Sequence, residues 1–134
     1  MTKEEGVITG IGGIFVKCTD RAKLLRWYQE VLKFPFDGYG ASFSFPKTGD
    51  EKHGGYQVWA PFDSDTDHFS PSTKDFMINF RVRGLEALLK RLKAEGVEQM
   101  GEIDVYDYGK FAWILDPEGT KIELWEQTSP PPAN

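Results

Sequence analysis

One cysteine, Cys18, and two histidines, His53 and His68, are all that the 134 residues offer of the side chains most used as nucleophiles and soft metal ligands. A lone cysteine excludes an intrachain disulfide and fits a reducing compartment, so a cytoplasmic location is expected. No stretch approaches the ~18 consecutive apolar residues of a membrane-spanning helix, and the opening MTKEEG has no apolar segment of the secretory type. Sixteen Lys and Arg against 21 Asp and Glu give a net charge of -5. With no basic excess, nucleic acid is excluded as the main partner. No Gly-x-Ser-x-Gly elbow is present, which removes the usual Ser-His-Asp hydrolase arrangement.

What is abundant is aromatic and aliphatic material. Four Trp, five Tyr and ten Phe within a 40% hydrophobic chain suit one domain with a substantial core. The alternation in Val7–Cys18 predicts a first strand over about 10–18. Asp20 is a suitable N-cap for a helix reaching about Leu32, with an apolar stripe of Leu24, Tyr28, Val31 and Leu32. Phe34–Phe45 is broken by Pro35, Gly38 and Gly40 and reads as a small hairpin, followed by a polar loop and a strand at Tyr56–Pro61. A long loop over 62–75 links this half to the next.

The second half restarts the pattern. Phe76, Ile78, Phe80 and Val82 alternate with Met77, Asn79 and Arg81, a half-buried strand. Leu85, Leu88, Leu89 and Leu92 share one face of a helix ended by Gly96, with Glu86 and Lys90 spaced to pair on its wet side. Strands are expected at about 102–106, 111–115 and 121–126, the last two joined through Asp116-Pro117-Glu118-Gly119. The order is β-α-β-β-β twice. Matching Gly13 to Met77 gives an offset of 64 and Gln57 to Glu123 one of 66, which points to an internal duplication. The expected division is module one at 7–61, a linker at 62–75, module two at 76–127 and a mobile tail from 128 to 134.

Within the final strand, Glu123 is a carboxyl group in an apolar run. It needs a metal, a basic partner or open solvent, because burying it alone is costly. The two βαβββ units, the opening IFVKCTDRAKLLRWYQEVLKF and the closing DPEGTKIELWE together resemble the glyoxalase / bleomycin-resistance / extradiol-dioxygenase group, the vicinal oxygen chelate superfamily. The resemblance runs from about Ile8 to Glu126. It implies an α+β fold in which two tandem βαβββ modules form a concave cup of curved mixed sheets, commonly as a homodimer. It also implies four metal-ligand positions, which fall here at Gly13, Gln57, Met77 and Glu123. Glycine ligates nothing through a side chain, and the methionine thioether suits neither Mg, Mn nor Zn among oxygen and nitrogen ligands. That leaves Glu123 and a neutral amide, short of a catalytic divalent site. No metal and no other cofactor is therefore expected, with Glu123 the ligand should a divalent ion be held.

On the implied fold, alternation turns Ile14, Val16, Phe76, Ile78, Phe80, Val82, Ile122 and Leu124 toward the helices. The opposite set faces the cup: Phe15, Lys17, Gln57, Trp59, Met77, Asn79, Arg81, Phe111, Trp113, Glu123 and Trp125. Large aromatics with a few polar groups are the usual makeup of a small-molecule pocket. Glu123 then pairs with Arg81 or Lys17, bonds to Gln57, holds a proton, or meets the polar end of a ligand, as acceptor or as catalytic base. Cys18 falls on the helix-packed face as a small hydrophobe, and His53 and His68 in solvated loops. The expected function is metal-independent binding of an aromatic or amphipathic molecule, oriented by Gln57, Asn79 and Glu123. The alternative is a divalent-metal lyase, isomerase or dioxygenase of the same superfamily. A cup plugged by its own aromatics is the third possibility.

Overall fold

Strand β1, Val7–Cys18, carries four isoleucine and valine residues from Ile8 to Val16 whose branched side chains suit a pleated surface. Register shifts between Ile8 and Gly10 and between Ile11 and Gly13 bend it, as bulges do. The computed structural model describes residues 5–36, 40–49 and 51–131. Asp20 caps α1, Arg21–Glu30, its carboxylate accepting Lys23 N–H at 3.0 Å. The helix ends before Leu32. Lys33 takes a left-handed φ of 59° and Phe34 N–H reaches back to Tyr28 O at 3.1 Å. That turn delivers Phe34 to the interior and leaves Val31 and Leu32 exposed, so the expected stripe is corrected: of its members Tyr28 does the packing, against Trp59.

Strands β2, Ala41–Phe45, and β3, Gly55–Asp63, form an antiparallel pair, preceded by a single bridge from Phe36 to Ala41. The expected hairpin over 34–45 thus shrinks to that bridge and β2, its tip at 37–39 lying outside the described residues. The second half gives β4, Phe76–Arg83; α2, Leu85–Ala94; β5, Asp104–Tyr106; β6, Gly109–Leu115; and β7, Lys121–Gln127. Helix α2 closes as expected, with Gly96 at φ 88° and Val97 N–H on Leu92 O at 2.9 Å. Glu86 bonds Lys110 Nζ at 3.0 Å, across to β6 rather than along the helix to Lys90.

All seven strands form one mixed, curled sheet in the order β2-β3-β1-β4-β7-β6-β5. Within each half the first and last strands run parallel, and the halves join through the antiparallel β1–β4 pair at the centre. One core lies under α2, where Leu85, Leu88 and Leu89 meet Val82, Ala112 and Leu124. A second, of Phe15, Ala60, Phe69 and Met77, lies on the opposite, concave side. Each fully buried side chain of this size contributes about 1.5–3 kcal/mol.

Candidate ligand-binding cup

Residues paired directly across strands share a face, so the ladders identify the concave side. Phe15 sits opposite Met77, Gly13 opposite Asn79, Asn79 beside Glu123, and Glu123 opposite Trp113. These strands enclose a cavity of about 750 Å3. Its walls are aromatic: Phe15, Tyr56, Phe62, Tyr106, Tyr108, Phe111, Trp113 and Trp125 all line it. Phe111 and Trp125 lie parallel within 3°, centroids 6.0 Å apart, and Tyr106 and Tyr108 within 5° at 5.3 Å.

Glu123 is the buried acid of this cup, 5% exposed, with Asp104 also on the cavity wall. Asn79 Nδ2 donates to its Oε1 at 2.6 Å and Trp113 Nε1 to its Oε2 at 2.9 Å. His68 Nε2 lies 3.5 Å from Oε2, and its ring stacks on Phe62 at 5.3 Å and 4°. Lys121 Nζ lies 5.7 Å from the centre of the Trp113 ring and donates to His68 O at 2.7 Å. Burial pushes the Lys121 ammonium below its ordinary value, while Glu123 and Asp67 oppose the shift. Glu123 thus has two neutral donors, and among the described residues no lysine or arginine forms an ion pair with it, Lys121 acting on it only electrostatically. Beside it, Asn79 Oδ1 is buried with no hydrogen-bond partner. A Cβ on Gly12 would collide with that oxygen, so glycine there makes the room Asn79 needs.

Several expected positions move. Strand β3 presents Tyr56, Val58 and Ala60 to the cup, one residue out of phase with expectation. Gln57 is exposed on the other side and donates to Ile11 O at 3.0 Å. Trp59 packs against Tyr28 at 4.0 Å and Phe34 at 5.6 Å, beneath α1. Met77 has the expected face but is 0% exposed, sealed into the cluster behind the cavity. Arg81 lies beyond the cavity, over the Phe45 and Trp125 rings, and donates to Tyr56 O and Gln127 Oε1. Lys17 lies over Phe69. Neither cation reaches Glu123, nor does Gln57, so those three expected pairings are replaced by Asn79, Trp113 and His68. His68 is at the cavity wall rather than in a solvated loop. His53 stays away from the cup, its Nδ1 3.2 Å from Gln127 Nε2.

The expected phase of β3 followed from giving Gln57 a ligand position; the strand's own alternation sets apolar Tyr56, Val58, Ala60 and Phe62 against a face that carries Gln57 and Asp63. Its register beside β1 also changes the correspondence between halves: Phe15 pairs with Ala60 and Asn79 with Glu123. Keeping Phe15 equivalent to Asn79, Ala60 stands where the second half has Glu123. The position read as an amide ligand is therefore a methyl group. Gly13, Ala60 and Met77 supply no oxygen or nitrogen from their side chains. Among the described residues, no three His, Cys, Asp or Glu side chains converge to hold an ion. The donor set does not fit a divalent metal.

Fold and site define an α+β protein in which two helices flank one curled seven-stranded mixed sheet around an aromatic-walled cup. Its first half holds three strands and the Phe36 bridge where β-α-β-β-β was expected. The Glyoxalase/Bleomycin resistance protein/Dioxygenase superfamily model matches residues 10–124, and the chain belongs to that superfamily. No curated protein matches it. Among solved structures, a variant of Streptomyces coelicolor methylmalonyl-CoA epimerase bound to 2-nitronate-propionyl-CoA aligns with a TM-score of 0.68 at 15% identity, covering 92% of this chain and 100% of that one. Methylmalonyl-CoA epimerase from Mycobacterium tuberculosis gives 0.63 at 17%, covering 96% and 94%. A superfamily member from Vibrio splendidus 12B01 gives 0.54 at 14%, covering 90% and 100%. At these identities the likeness is one of fold.

Proposed function

We propose that this protein is a metal-independent small-molecule-binding protein of the glyoxalase/bleomycin-resistance type. It holds an aromatic or amphipathic ligand in the cup, with an N–H or O–H donor of the ligand on Glu123. The observation that carries this reading is a buried carboxyl group held by hydrogen bonds from Asn79 and Trp113, inside an aromatic-walled cavity of about 750 Å3. The walls supply contact area and stacking, and the acid supplies orientation. Asn79 and Trp113 hold the carboxyl group in place; Gln57 takes no part. The protein acts in the cytoplasm as a homodimer. Among the described residues no helix is long and apolar enough to cross a membrane.

The test is tryptophan fluorescence during titration with flat amines and phenols, since Trp113 and Trp125 line the cavity. Saturable quenching is expected, weakened about tenfold by Glu123→Gln and unchanged by a chelator. No response across diverse ligands would mean that the aromatics fill the cup themselves. One tightly bound metal per chain would favour the metal-dependent lyase, isomerase or dioxygenase.

The 3.5 Å approach of His68 to Glu123 favours a second reading, metal-free proton transfer. Glu123 would take a proton from the bound molecule and His68 would return one. Glu123→Gln should then abolish turnover while leaving affinity roughly intact.

A further inference from the structure

The rim of the cup at the sheet edge carries a second, smaller cluster. Strand β5 is an edge strand. Its Asp104 pairs with Phe111, and Phe111 with Trp125, so the three form one row across the concave face. Tyr106 lies two residues along β5 on the same face, and Tyr108 follows in the turn to β6. The Phe111 ring meets Tyr106 edge-on at 5.9 Å and 64°, and Tyr108 at 5.8 Å and 65°. Two parallel tyrosines with a phenylalanine across them make an aromatic corner. The Tyr106 hydroxyl ties that corner to Asp104, donating to Oδ2 at 3.4 Å. Burial falls steeply from floor to rim. Trp125 is 3% exposed, whereas Tyr106 and Tyr108 are each 48% exposed and Asp104 is exposed with them. Among the described residues no lysine, arginine or histidine pairs with Asp104. The lysine on the cavity wall, Lys121, lies beyond Glu123 on β7, away from this rim, and bonds to His68 O.

We propose that this corner is an outer subsite for an alkylammonium group, protonated or methylated. The ligand of the cup is then an aromatic molecule with a hydrogen-bond donor at one end and a cation at the other. An outer subsite presupposes that the cup holds a ligand, as proposed above, and adds that ligand's charge and length. Charge follows from the chemistry of the corner. A ring face attracts a cation, a carboxylate attracts it further, and both repel an anion. The alkyl carbons around the nitrogen gain contact with the same rings. Length follows from the ladders. Glu123 is two residues from Trp125 on β7, and Asp104 is two strands over. Spacings of about 4.8 Å between strands and 3.4 Å per residue put their Cα atoms about 12 Å apart. A hydrogen bond takes up about 3 Å at each end. The polar ends of the ligand are therefore roughly 6–8 Å apart, the span of a phenol with a two-carbon amine arm.

Tryptophan fluorescence of the full chain tests the subsite with two matched pairs of phenols. Tyramine and para-propylphenol exchange an ammonium for a methyl group. Trimethyltyramine and para-neohexylphenol exchange a trimethylammonium for a tert-butyl group. Each cation should bind about tenfold tighter than its uncharged isostere at low ionic strength, and added salt should shrink the preference. Asp104→Asn should reduce that preference about threefold and leave the uncharged probes unchanged. Tyr108→Leu keeps an apolar surface without a ring face, so it should weaken the cations more than their isosteres. If Asp104→Asn fails to fold by circular dichroism, Asp104→Ser decides. Isosteres that bind as tightly as the cations would overturn the subsite and leave the reading of the cup standing. So would an Asp104→Asn protein that keeps the full preference. No saturable quenching by any of the four probes would overturn both. A cation preference that depends on Asp104, with affinity unchanged by Glu123→Gln, would keep the subsite and overturn the role given to Glu123.

Discussion

Asn79 carries two demands at once: its amide N–H satisfies Glu123, and its carbonyl is left facing Gly12. Gly12→Ala is expected to push Asn79 off Glu123, costing about 1–3 kcal/mol by overpacking and weakening ligand binding with it. Urea unfolding and the fluorescence titration read the two effects. Trp113→Phe keeps the aromatic wall but removes the donor to Oε2, so it should weaken binding while changing stability by no more than about 1–2 kcal/mol. Cys18 is a different case. Burial is the main cause raising its thiol above the ordinary value, Asp63 adds to it, and Sγ lies 3.3 Å from Phe62 O. Alkylation by iodoacetamide at neutral pH should therefore run slower than that of a free thiol such as glutathione. Measured rates equal to or above glutathione would contradict that environment.

At the scale of elements, the β6–β7 turn shows how far local chemistry reaches. Asp116 accepts Glu118 N–H at 2.8 Å and Thr120 N–H at 2.9 Å, and Gly119 takes φ 78°. The backbone bond from Thr120 leads the causes that hold the Asp116 carboxyl below its usual range, and the Lys110 hydrogen bond does the same for Glu86. Lys110 is raised in turn by Glu86. The signs set a window. Depressed carboxyls contribute stability above their unfolded pKa, lost as pH falls through the folded value. A raised lysine contributes below its unfolded pKa, lost as pH rises through the folded one. Folding stability is therefore expected to be level above about pH 5 and to fall below it, while above about pH 9 the raised Lys110 and the lowered Lys121 act with opposite signs. Denaturant midpoints across pH check it, and Asp116→Asn should flatten part of the acid limb. In α2, Leu88 is 2% exposed within the core under the sheet, and Leu88→Ala should cost about 2–5 kcal/mol.

Across the whole molecule, the β1–β4 ladder makes one sheet of two similar halves. The second core joins Phe15 and Ala60 of the first half to Met77 of the second. The core under α2 lies within the second half, but the β1–β4 ladder and the second core span both, so unfolding by heat or denaturant should be a single transition, coincident by circular dichroism and tryptophan fluorescence. Two separated transitions would mean that the halves fold independently. The same central pair separates two surfaces: a concave face with Glu123 and its aromatic walls, and a convex face on which Ile14 is exposed.

The residues alone determined the alternation of strands and helices in two similar halves (with βαβββ complete only in the second), the cap at Asp20, the α2 stripe and the DPEG turn. Each rests on a periodicity or a turn preference contained in a few neighbouring positions. Part of the cup was legible for the same reason: Phe15, Asn79, Phe111, Trp113, Glu123 and Trp125 lie on strands whose alternation is unambiguous, and all line the cavity. Tertiary structure decided the rest. The face shown by β3 depends on its register beside β1, which turns Tyr56, Val58 and Ala60 to the cup, so the ligand position that the resemblance implies at Gln57, and Trp59 with it, fall on the other side. The 62–75 connection brings His68 to Glu123 from 55 positions away, a placement that no local pattern encodes. Whether Arg81 or Asn79 satisfies the buried acid is likewise a matter of distance across the sheet. Charge and composition permit both pairings, and only packing chooses between them.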